Sequence, residues 1–268
     1  MPDPHTTIGP FTTQTYTLML AIGILSAMAV TVMTYRLRYV VPFSRLVDVC
    51  LAALIGGVIG ARVFHVILNW RYFQGHTAEI TQISAGGLNW HGAVVGALLA
   101  LTVAAWFYKL SVSSLLDALA VGLPIVAVLS WWGCGAATCS YGAEVDSMAD
   151  YPAWLTWEAP GQFQLIAPRF ATQPLGMIVS GILLLVMVVI TRLERLEGRR
   201  FWAELALLSV AMLWLDSLRG DYAALIANLR ADQWLDLAFG IISLLVWGGI
   251  AWKNAGFWPA RPGLQGTI

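Results

Sequence analysis

Three residues have side chains that can do chemistry and lie in mostly apolar surroundings. His91 follows the run Gly-Gly-Leu-Asn-Trp, Arg62 ends a long apolar segment, and Arg219 lies three residues after Asp216. An unperturbed imidazole, with a pKa of about 6.5, can accept a proton at neutral pH. A guanidinium can hold a lipid phosphate through two parallel hydrogen bonds. These residue types indicate proton transfer, phosphate binding, or both.

Each of these residues also has an ordinary structural explanation. A lone histidine can be a satisfied polar group, and Arg62, about two turns from a helix end, could snorkel toward the membrane surface. The spacing of Asp216 and Arg219 suits an ion pair on one helix face. Glu204 lies close to a helix end, where we expect it to be hydrated. The residue types alone leave both explanations open.

The composition of the chain predicts the kind of scaffold that must position these residues. Of the 268 residues, 59% are hydrophobic and 11% are charged, and the mean hydropathy is +0.73. Soluble domains usually have about 45–50% apolar and about 25% charged residues. The formal net charge of zero argues against binding to nucleic acid through charge. The chain is therefore predicted to be an all-α, polytopic membrane protein.

Seven segments are apolar and long enough to be spans, since a spanning helix needs roughly 20 such residues. Gly56 and Gly60 in the second segment have the spacing that lets another helix approach closely. We expect one integral membrane domain over residues 1–268, with an outer-face loop at about 134–172. The predicted spans are Tyr16–Tyr35, Val47–Asn69, Gly86–Tyr108, Leu115–Gly133, Gln173–Thr191, Phe201–Leu218 and Trp234–Trp252.

The distribution of basic residues predicts the orientation of the chain, because cytoplasmic loops of membrane proteins are enriched in Lys and Arg. If the N-terminus is outside, four arginines fall on the outer side: Arg71, Arg169, Arg219 and Arg230. Ten basic residues then fall on the cytoplasmic side: Arg36, Arg38, Arg45, Lys109, Arg192, Arg195, Arg199, Arg200, Lys253 and Arg261. This bias predicts an outer N-terminus and a cytoplasmic C-terminus.

Two of the three cysteines, Cys134 and Cys139, fall at the predicted outer face. In an oxidising compartment they could form a disulfide, and the redox state stays open at this point. A zinc site would need more ligands, with only His91 as a plausible third. We expect no metal and no organic cofactor.

The motifs of this chain resemble those of the prolipoprotein diacylglyceryl transferases of bacterial inner membranes. The similarity covers most of the chain in order, and its most specific element is the His-Gly motif at His91. The matching segments are Thr15–Gly23, Ala53–Arg62, Gly86–Gly92, Asp117–Gly142, Thr172–Gln173, Asp216–Asp221 and Gln233–Leu235.

The chain also departs from the family pattern at several positions. Ser130-Trp131 replaces a Gly-Arg pair, and Met212 stands where the family has an arginine seven residues before the Arg219 position. Ala137 replaces a common asparagine, and Pro174 follows Gln173 where the family continues differently. Two cations that could bind a lipid phosphate are therefore missing.

The resemblance implies transfer of a diacylglyceryl group from phosphatidylglycerol to the lipobox cysteine thiol of a prolipoprotein, with glycerol phosphate as the leaving group. It implies His91 as the base that helps form the thiolate. It implies Arg219 and Arg62 as phosphate ligands, with Arg169 a weaker candidate. Further expected substrate-binding or orienting residues are Tyr16, Asn89, Gly92, Gly142, Gln173, Asp216 and Asp221.

The resemblance further implies a multi-pass protein of the bacterial inner membrane whose partners are phosphatidylglycerol, prolipoproteins and membrane lipid, without nucleic acid. Two other functions stay open at the level of sequence. A divergent relative could bind lipid or lipoprotein without this chemistry, or transfer a different lipid group, as Trp131 and Met212 suggest. A small-solute transporter is compatible in general terms with seven spans that contain buried charges.

Overall fold

Seven helices form the frame of the protein. The computed structural model describes residues 3–9, 11–83, 86–161 and 163–254, and the helices in these ranges that are long and apolar enough to cross a membrane number seven. Each overlaps one predicted span, so the prediction of an all-α polytopic membrane protein is confirmed. The spans are Thr15–Arg36, Phe43–Leu68, Trp90–Phe107, Val112–Ala137, Thr172–Arg192, Arg200–Leu218 and Ala231–Trp252.

The chain divides into two compact units between Ala137 and Thr138. Within the first unit, α2 packs along α4, and α1 packs along α6 and α5. The expectation of one membrane domain stays a prediction. The elements of the first unit are β1 (His5–Ile8), β2 (Phe11–Gln14), α1 (Thr15–Arg36), α2 (Phe43–Leu68), α3 (Trp70–Phe73), α4 (Trp90–Phe107), α5 (Val112–Leu119) and α6 (Gly122–Ala137).

The fourth span is interrupted, and its sequence explains the break. Helix α5 ends at Leu119 and α6 begins at Gly122, with a turn between them. Pro124 has no backbone N–H to donate, and its ring would collide with the carbonyl group four residues earlier in a continuous helix. The proline therefore lies in the first turn of a new helix, where the missing donor costs nothing.

Glycines on two facing helices bring α2 and α4 together. A Cβ atom on Gly60 would collide with the carbonyl oxygen of Gly92, and one on Gly56 would collide with Ala100 and Gly96. Such small residues let helix backbones approach closely in a membrane, where van der Waals packing drives association. The close approach predicted from Gly56 and Gly60 is therefore confirmed, and Gly92 is part of the same contact.

In the second unit, α7 packs on α8 and α8 packs on α9. Its elements are β3 (Thr156–Pro160), β4 (Ile166–Phe170), α7 (Thr172–Arg192), α8 (Arg200–Leu218), β5 (Leu225–Ile226), β6 (Leu229–Arg230) and α9 (Ala231–Asn254). The pairs β1–β2, β3–β4 and β5–β6 are antiparallel and lie outside the spans. These three hairpins were not predicted from the sequence.

Three further points are resolved by the structure. The segment between the fourth and fifth spans, predicted to begin at about residue 134, begins at Thr138, because α6 continues to Ala137. Cys134 and Cys139 are disulfide-bonded, and Cys50 is free. The expected hydration of Glu204 is wrong: its exposed fraction is 0%, because the first turns of α8 are covered by packing.

Candidate active site

The start of α4 holds His91 in a buried position. Asn89 is the N-cap, and its side-chain oxygen accepts a hydrogen bond from the backbone N–H of Gly92 at 3.2 Å. The ring of His91 lies against Trp90, with 4.0 Å between ring centroids, and the residue is 0% exposed. The capped first turn therefore fixes an imidazole in a water-poor environment.

Arg62 lies on α2, close in space to the segment that leads into α4. Its guanidinium donates hydrogen bonds to the carbonyl oxygens of Glu79, Ile80, Gly86 and Gly87. The guanidinium carbon lies 5.4 Å from the centre of the Phe73 ring. Arg62 is buried and neither snorkels freely nor presents an open fork for a phosphate. The structure thus assigns its hydrogen bonds to the chain itself.

The expected ligand Tyr16 lies in the first turn of α1, against α6. Its ring and backbone lie beside Gly133, where an added Cβ atom would come within 2.9 Å of the Tyr16 Cα atom. Trp131, which replaces a family arginine, is buried on α6. The small residue at Gly133 therefore lets α1 and α6 meet at Tyr16.

Gly142 and Arg219 are neighbours in the second unit, joined by an antiparallel bridge. The backbone N–H of Ala143 donates to the Leu218 carbonyl, and that of Gly220 donates to the Tyr141 carbonyl. A Cβ atom on Gly142 would collide with the backbone of Phe170. Gly142 thus lies between β4 and the chain at Arg219, where there is no room for a side chain.

Two carboxylates hold the side chain of Arg219. Asp221 accepts from Nε at 2.8 Å and from Nη2 at 2.6 Å, and Asp216 accepts from Nη1 at 2.7 Å. Burial alone lowers the pKa of Arg219, but the hydrogen bonds and charges of Asp221 and Asp216 outweigh it and raise the pKa above its usual value. Arg219 therefore stays cationic, and its side chain remains 17% exposed. The predicted ion pair with Asp216 is confirmed.

Arg230 is a residue of this network that the sequence analysis did not single out. Its Nη1 donates to the backbone carbonyl of Asp221 at 2.8 Å, and its Nη2 lies 3.3 Å from the carboxylate of the same residue. Asp221 is thus shared by two arginines. A possible signal was the position of Arg230 immediately before the last span, three residues from Gln233, which accepts from its backbone N–H.

Gln173, another expected ligand, lies in the first turn of α7. Its Nε2 donates to the Cys139 carbonyl at 3.0 Å, and the neighbouring Thr172 hydroxyl donates to the Ser140 carbonyl at 2.6 Å. Thr138 and Ser140 have positive φ angles, a conformation that is unfavourable for residues other than glycine. The start of α7 therefore holds a strained turn in place.

A cavity of about 330 Å³ lies in the second unit, lined in part by Tyr141, Glu144, Arg169 and Gly220. Arg169 forms an ion pair with Glu144, donates to the Gly142 carbonyl and lies over the Tyr141 ring. Its charge is therefore already balanced. In the described ranges, no group of three His, Cys, Asp or Glu residues could hold a metal ion.

Comparison with known proteins identifies the family of this chain. The family model described as prolipoprotein diacylglyceryl transferase matches residues 5–248. The chain belongs to the prolipoprotein diacylglyceryl transferase family. The family assignment, the membrane-spanning fold and the resemblance stated from the motifs are thereby confirmed.

Three relatives match most of this chain, and two of them are also matched over most of their own length. Two are phosphatidylglycerol–prolipoprotein diacylglyceryl transferases: that of Clostridium novyi, 25% identical over 86% of this chain and 89% of its own length, and that of Geobacillus kaustophilus, 26% identical over 90% and 89%. A protein of the same name from Frankia alni is 31% identical over 89% of this chain and 64% of its own length. The roles of the individual site residues stay predictions.

Proposed function

We propose that this protein transfers a diacylglyceryl group from phosphatidylglycerol to the cysteine thiol of a prolipoprotein. The observation that carries the proposal is the family match over residues 5–248, together with relatives of that printed name that share nearly the whole length of the chain. The protein is a transferase of a membrane lipid, and its acceptor is a secreted polypeptide.

The reaction replaces a carbon–oxygen bond by a carbon–sulfur bond. The thiolate sulfur attacks the carbon of the diacylglycerol moiety that is bonded to the phosphate oxygen, and a thioether forms. The bond between that carbon and the phosphate oxygen breaks, and glycerol phosphate leaves with the bonding electron pair. The thiol proton passes to a base, because the thiolate is the nucleophile.

His91 is the base in this proposal. Its support is the capped start of α4, which holds the imidazole buried beside Trp90. A base inside a site with little water can take the thiol proton without competition from solvent. Burying a neutral imidazole also costs less free energy than burying an ionised carboxylate or ammonium group.

Arg219 holds the phosphate of the donor lipid. It is the proposed phosphate ligand whose guanidinium is both fixed and partly exposed, at 17%. Asp216 and Asp221 occupy three of its donor groups, and a guanidinium has five N–H donors in all. The remaining donors are available to an anion, and their fixed direction favours the charge that develops on the leaving group.

Tyr16, Asn89 and Gln173 contact the lipid headgroup in this proposal. Gln173 has the clearest support: its Nε2 is held by the Cys139 carbonyl, while its buried Oε1 accepts no hydrogen bond from the described residues. An oxygen in that state gains from a hydroxyl donor such as those of a glycerol headgroup. Asn89 also caps the first turn of α4, and this cap is its main contribution to the site.

The reaction takes place at the outer face of a bacterial inner membrane. The support is the excess of basic residues on the opposite side of the predicted topology, which is typical of cytoplasmic loops. With this orientation His91, near the start of the third span, and Arg219, after the end of the sixth, both lie near the outer leaflet. A secreted acceptor reaches that leaflet after export.

The proposal is tested with purified protein in vesicles that contain phosphatidylglycerol and a peptide with a lipobox cysteine. Mass spectrometry is expected to detect one diacylglyceryl group on the cysteine and an equal amount of glycerol phosphate. We expect His91→Gln to abolish most of the transfer while His76→Gln, on an exposed residue, leaves it unchanged. Failure of the folded wild-type protein to modify the peptide would contradict the proposal.

A further inference from the structure

The segment that leads into α4 has little regular structure of its own, although the proposed base lies in the helix it opens. Between the short helical turn Thr77–Glu79 and Trp90, the described residues form turns and irregular chain. Gly86 and Gly87 both have positive φ angles, so this chain path depends on glycine. Besides the Asn89 cap, contacts with other parts of the fold must therefore define where α4 begins.

Arg62 provides that definition through four hydrogen bonds from one guanidinium. Nε donates to the Ile80 carbonyl at 2.9 Å, and Nη2 donates to that of Glu79 at 2.5 Å. Nη1 donates to the carbonyls of Gly86 and Gly87 at 2.7 and 3.1 Å. The two ends of the segment are thus held on one rigid planar group, which we call the Arg62 clamp.

Aromatic and backbone groups pack closely against the clamp. The Phe73 ring lies over the guanidinium, and a Cβ atom on Gly87 would come within 2.8 Å of Arg62 Nη1 and 2.5 Å of His65 Nε2. A cation over an aromatic face is stabilised by the ring, most strongly where water is excluded. Arg62 is therefore packed for contact with this segment, with no room left for a larger residue at position 87.

The clamp is connected to the first turn of α4, where His91 lies, by a short path of hydrogen bonds and packing contacts. Two residues after Gly87, the backbone N–H of Asn89 donates to the Ala61 carbonyl at 3.1 Å, next to Arg62 on α2. Asn89 then caps Gly92, and Gly92 packs on Gly60. Asn89 and Gly92, at the start of α4, are thus both held against α2 beside Arg62.

We infer that Arg62 is a positioning residue that fixes the start of α4, and with it His91, and that it is not a ligand of the lipid phosphate. Its donors are directed to uncharged backbone carbonyls rather than to a carboxylate that an incoming phosphate could replace. This inference deepens the proposed function and rests on His91 as the base. It corrects the interpretation of Arg62 as a phosphate ligand.

The experiment compares Arg62→Met, Arg62→Lys and the matched control Arg71→Met in the full chain. Arg71 is an exposed arginine of α3 in the same outer segment. In Arg62→Met we expect faster hydrogen exchange at the amides of residues 86–92. We also expect faster modification of the His91 ring by diethylpyrocarbonate, with exposed His76 as the internal reference. Neither measurement requires catalysis.

The kinetic readout separates positioning from phosphate binding. We expect Arg62→Met to lower kcat on the order of 100-fold, because small displacements of a catalytic group are costly, with little change in the KM for phosphatidylglycerol. Arg62→Lys is expected to recover part of kcat, since an ammonium has three donors without the planar fork. Arg71→Met should match wild type in every measurement.

Two results would overturn the inference. One is a large rise in KM for phosphatidylglycerol in Arg62→Met with exchange and His91 modification unchanged, which would indicate direct contact with the lipid. The other is unchanged kcat despite a released segment. If Arg62→Met does not fold, Phe73→Leu, which removes the ring over the guanidinium, must produce the same changes at smaller size. An inactive wild type would refute the proposed transferase, while the exchange data would still test the clamp.

Discussion

Arg62 is buried near the C-terminal end of α2, Arg219 is half-buried directly after α8, and the two arginines are stabilised in opposite ways. Arg62 donates to four uncharged carbonyl oxygens, whereas Arg219 is held by the carboxylates of Asp216 and Asp221. Either arrangement satisfies the donors that would be costly to bury unpaired. The same residue type therefore serves the backbone in one unit and a charge network in the other.

The difference has a functional consequence. The carbonyls around Arg62 are parts of a chain segment that would lose its path if the guanidinium moved. The carboxylates around Arg219 leave the side chain 17% exposed, and they direct its remaining donors without using them. An arginine can thus be preorganised for a ligand only where its partners are side chains that leave some of its N–H donors free.

The sharpest test of this contrast is Arg219→Lys, for which we expect the largest loss. An ammonium cannot reproduce the bidentate contact with Asp221 and still present fixed donors to a phosphate. We expect transfer to fall by about 100- to 1000-fold, the usual effect of losing a donor to a developing oxyanion. Steady-state kinetics in phosphatidylglycerol vesicles measures the effect. A loss smaller than that of Arg62→Lys would reverse the comparison.

Asp221→Asn should have the next largest effect. The amide keeps the size of the side chain but removes the negative charge shared by Arg219 and Arg230. We expect kcat to fall about 30-fold, because the phosphate-binding fork loses its bidentate orientation. Asp146→Asn, at an exposed residue of the same unit, is the control. Equal activity of the two variants would mean that Asp216 alone orients Arg219.

Arg230→Met is expected to have a smaller effect of the same kind. Arg230 contacts Asp221 through its backbone carbonyl and its carboxylate, and therefore acts on Arg219 through one intermediate residue. We expect a loss of about tenfold in kcat, with partial recovery in Arg230→Lys. In the Asp221→Asn background the Arg230 substitution should add little. Additive losses would indicate that Arg230 contacts the substrate directly.

The spans and one helix contact could be predicted because they follow from composition and spacing. The seven apolar segments define the spans, and Gly56 and Gly60 predicted the close approach that α2 and α4 make. The break between α5 and α6 was also accessible, since Pro124 lies inside the predicted span. The three hairpins were not, because strands of two to five residues have no detectable period.

The partners of the buried arginines were predictable only for Arg219. Asp216 lies three residues away on the same face, and the pair follows from helix geometry. The acceptors of Arg62 are backbone carbonyls 17 to 25 residues distant, and a carbonyl has no residue-type signature. The sharing of Asp221 with Arg230 depends on the turn between β5 and β6, which the sequence pattern does not indicate.

Glu204 extends the comparison, because it is a buried ionisable residue to which the described residues offer neither kind of hydrogen-bond partner. It is 0% exposed, and neither carboxyl oxygen accepts a hydrogen bond from the described residues. Glu204→Met removes two buried polar atoms while keeping an unbranched side chain, so we expect the free energy of unfolding to rise by about 1–3 kcal/mol. Thermal unfolding in detergent measures the change, with the exposed Glu158→Met as control. A destabilised Glu204→Met variant would show instead that the carboxyl group has a partner in the membrane.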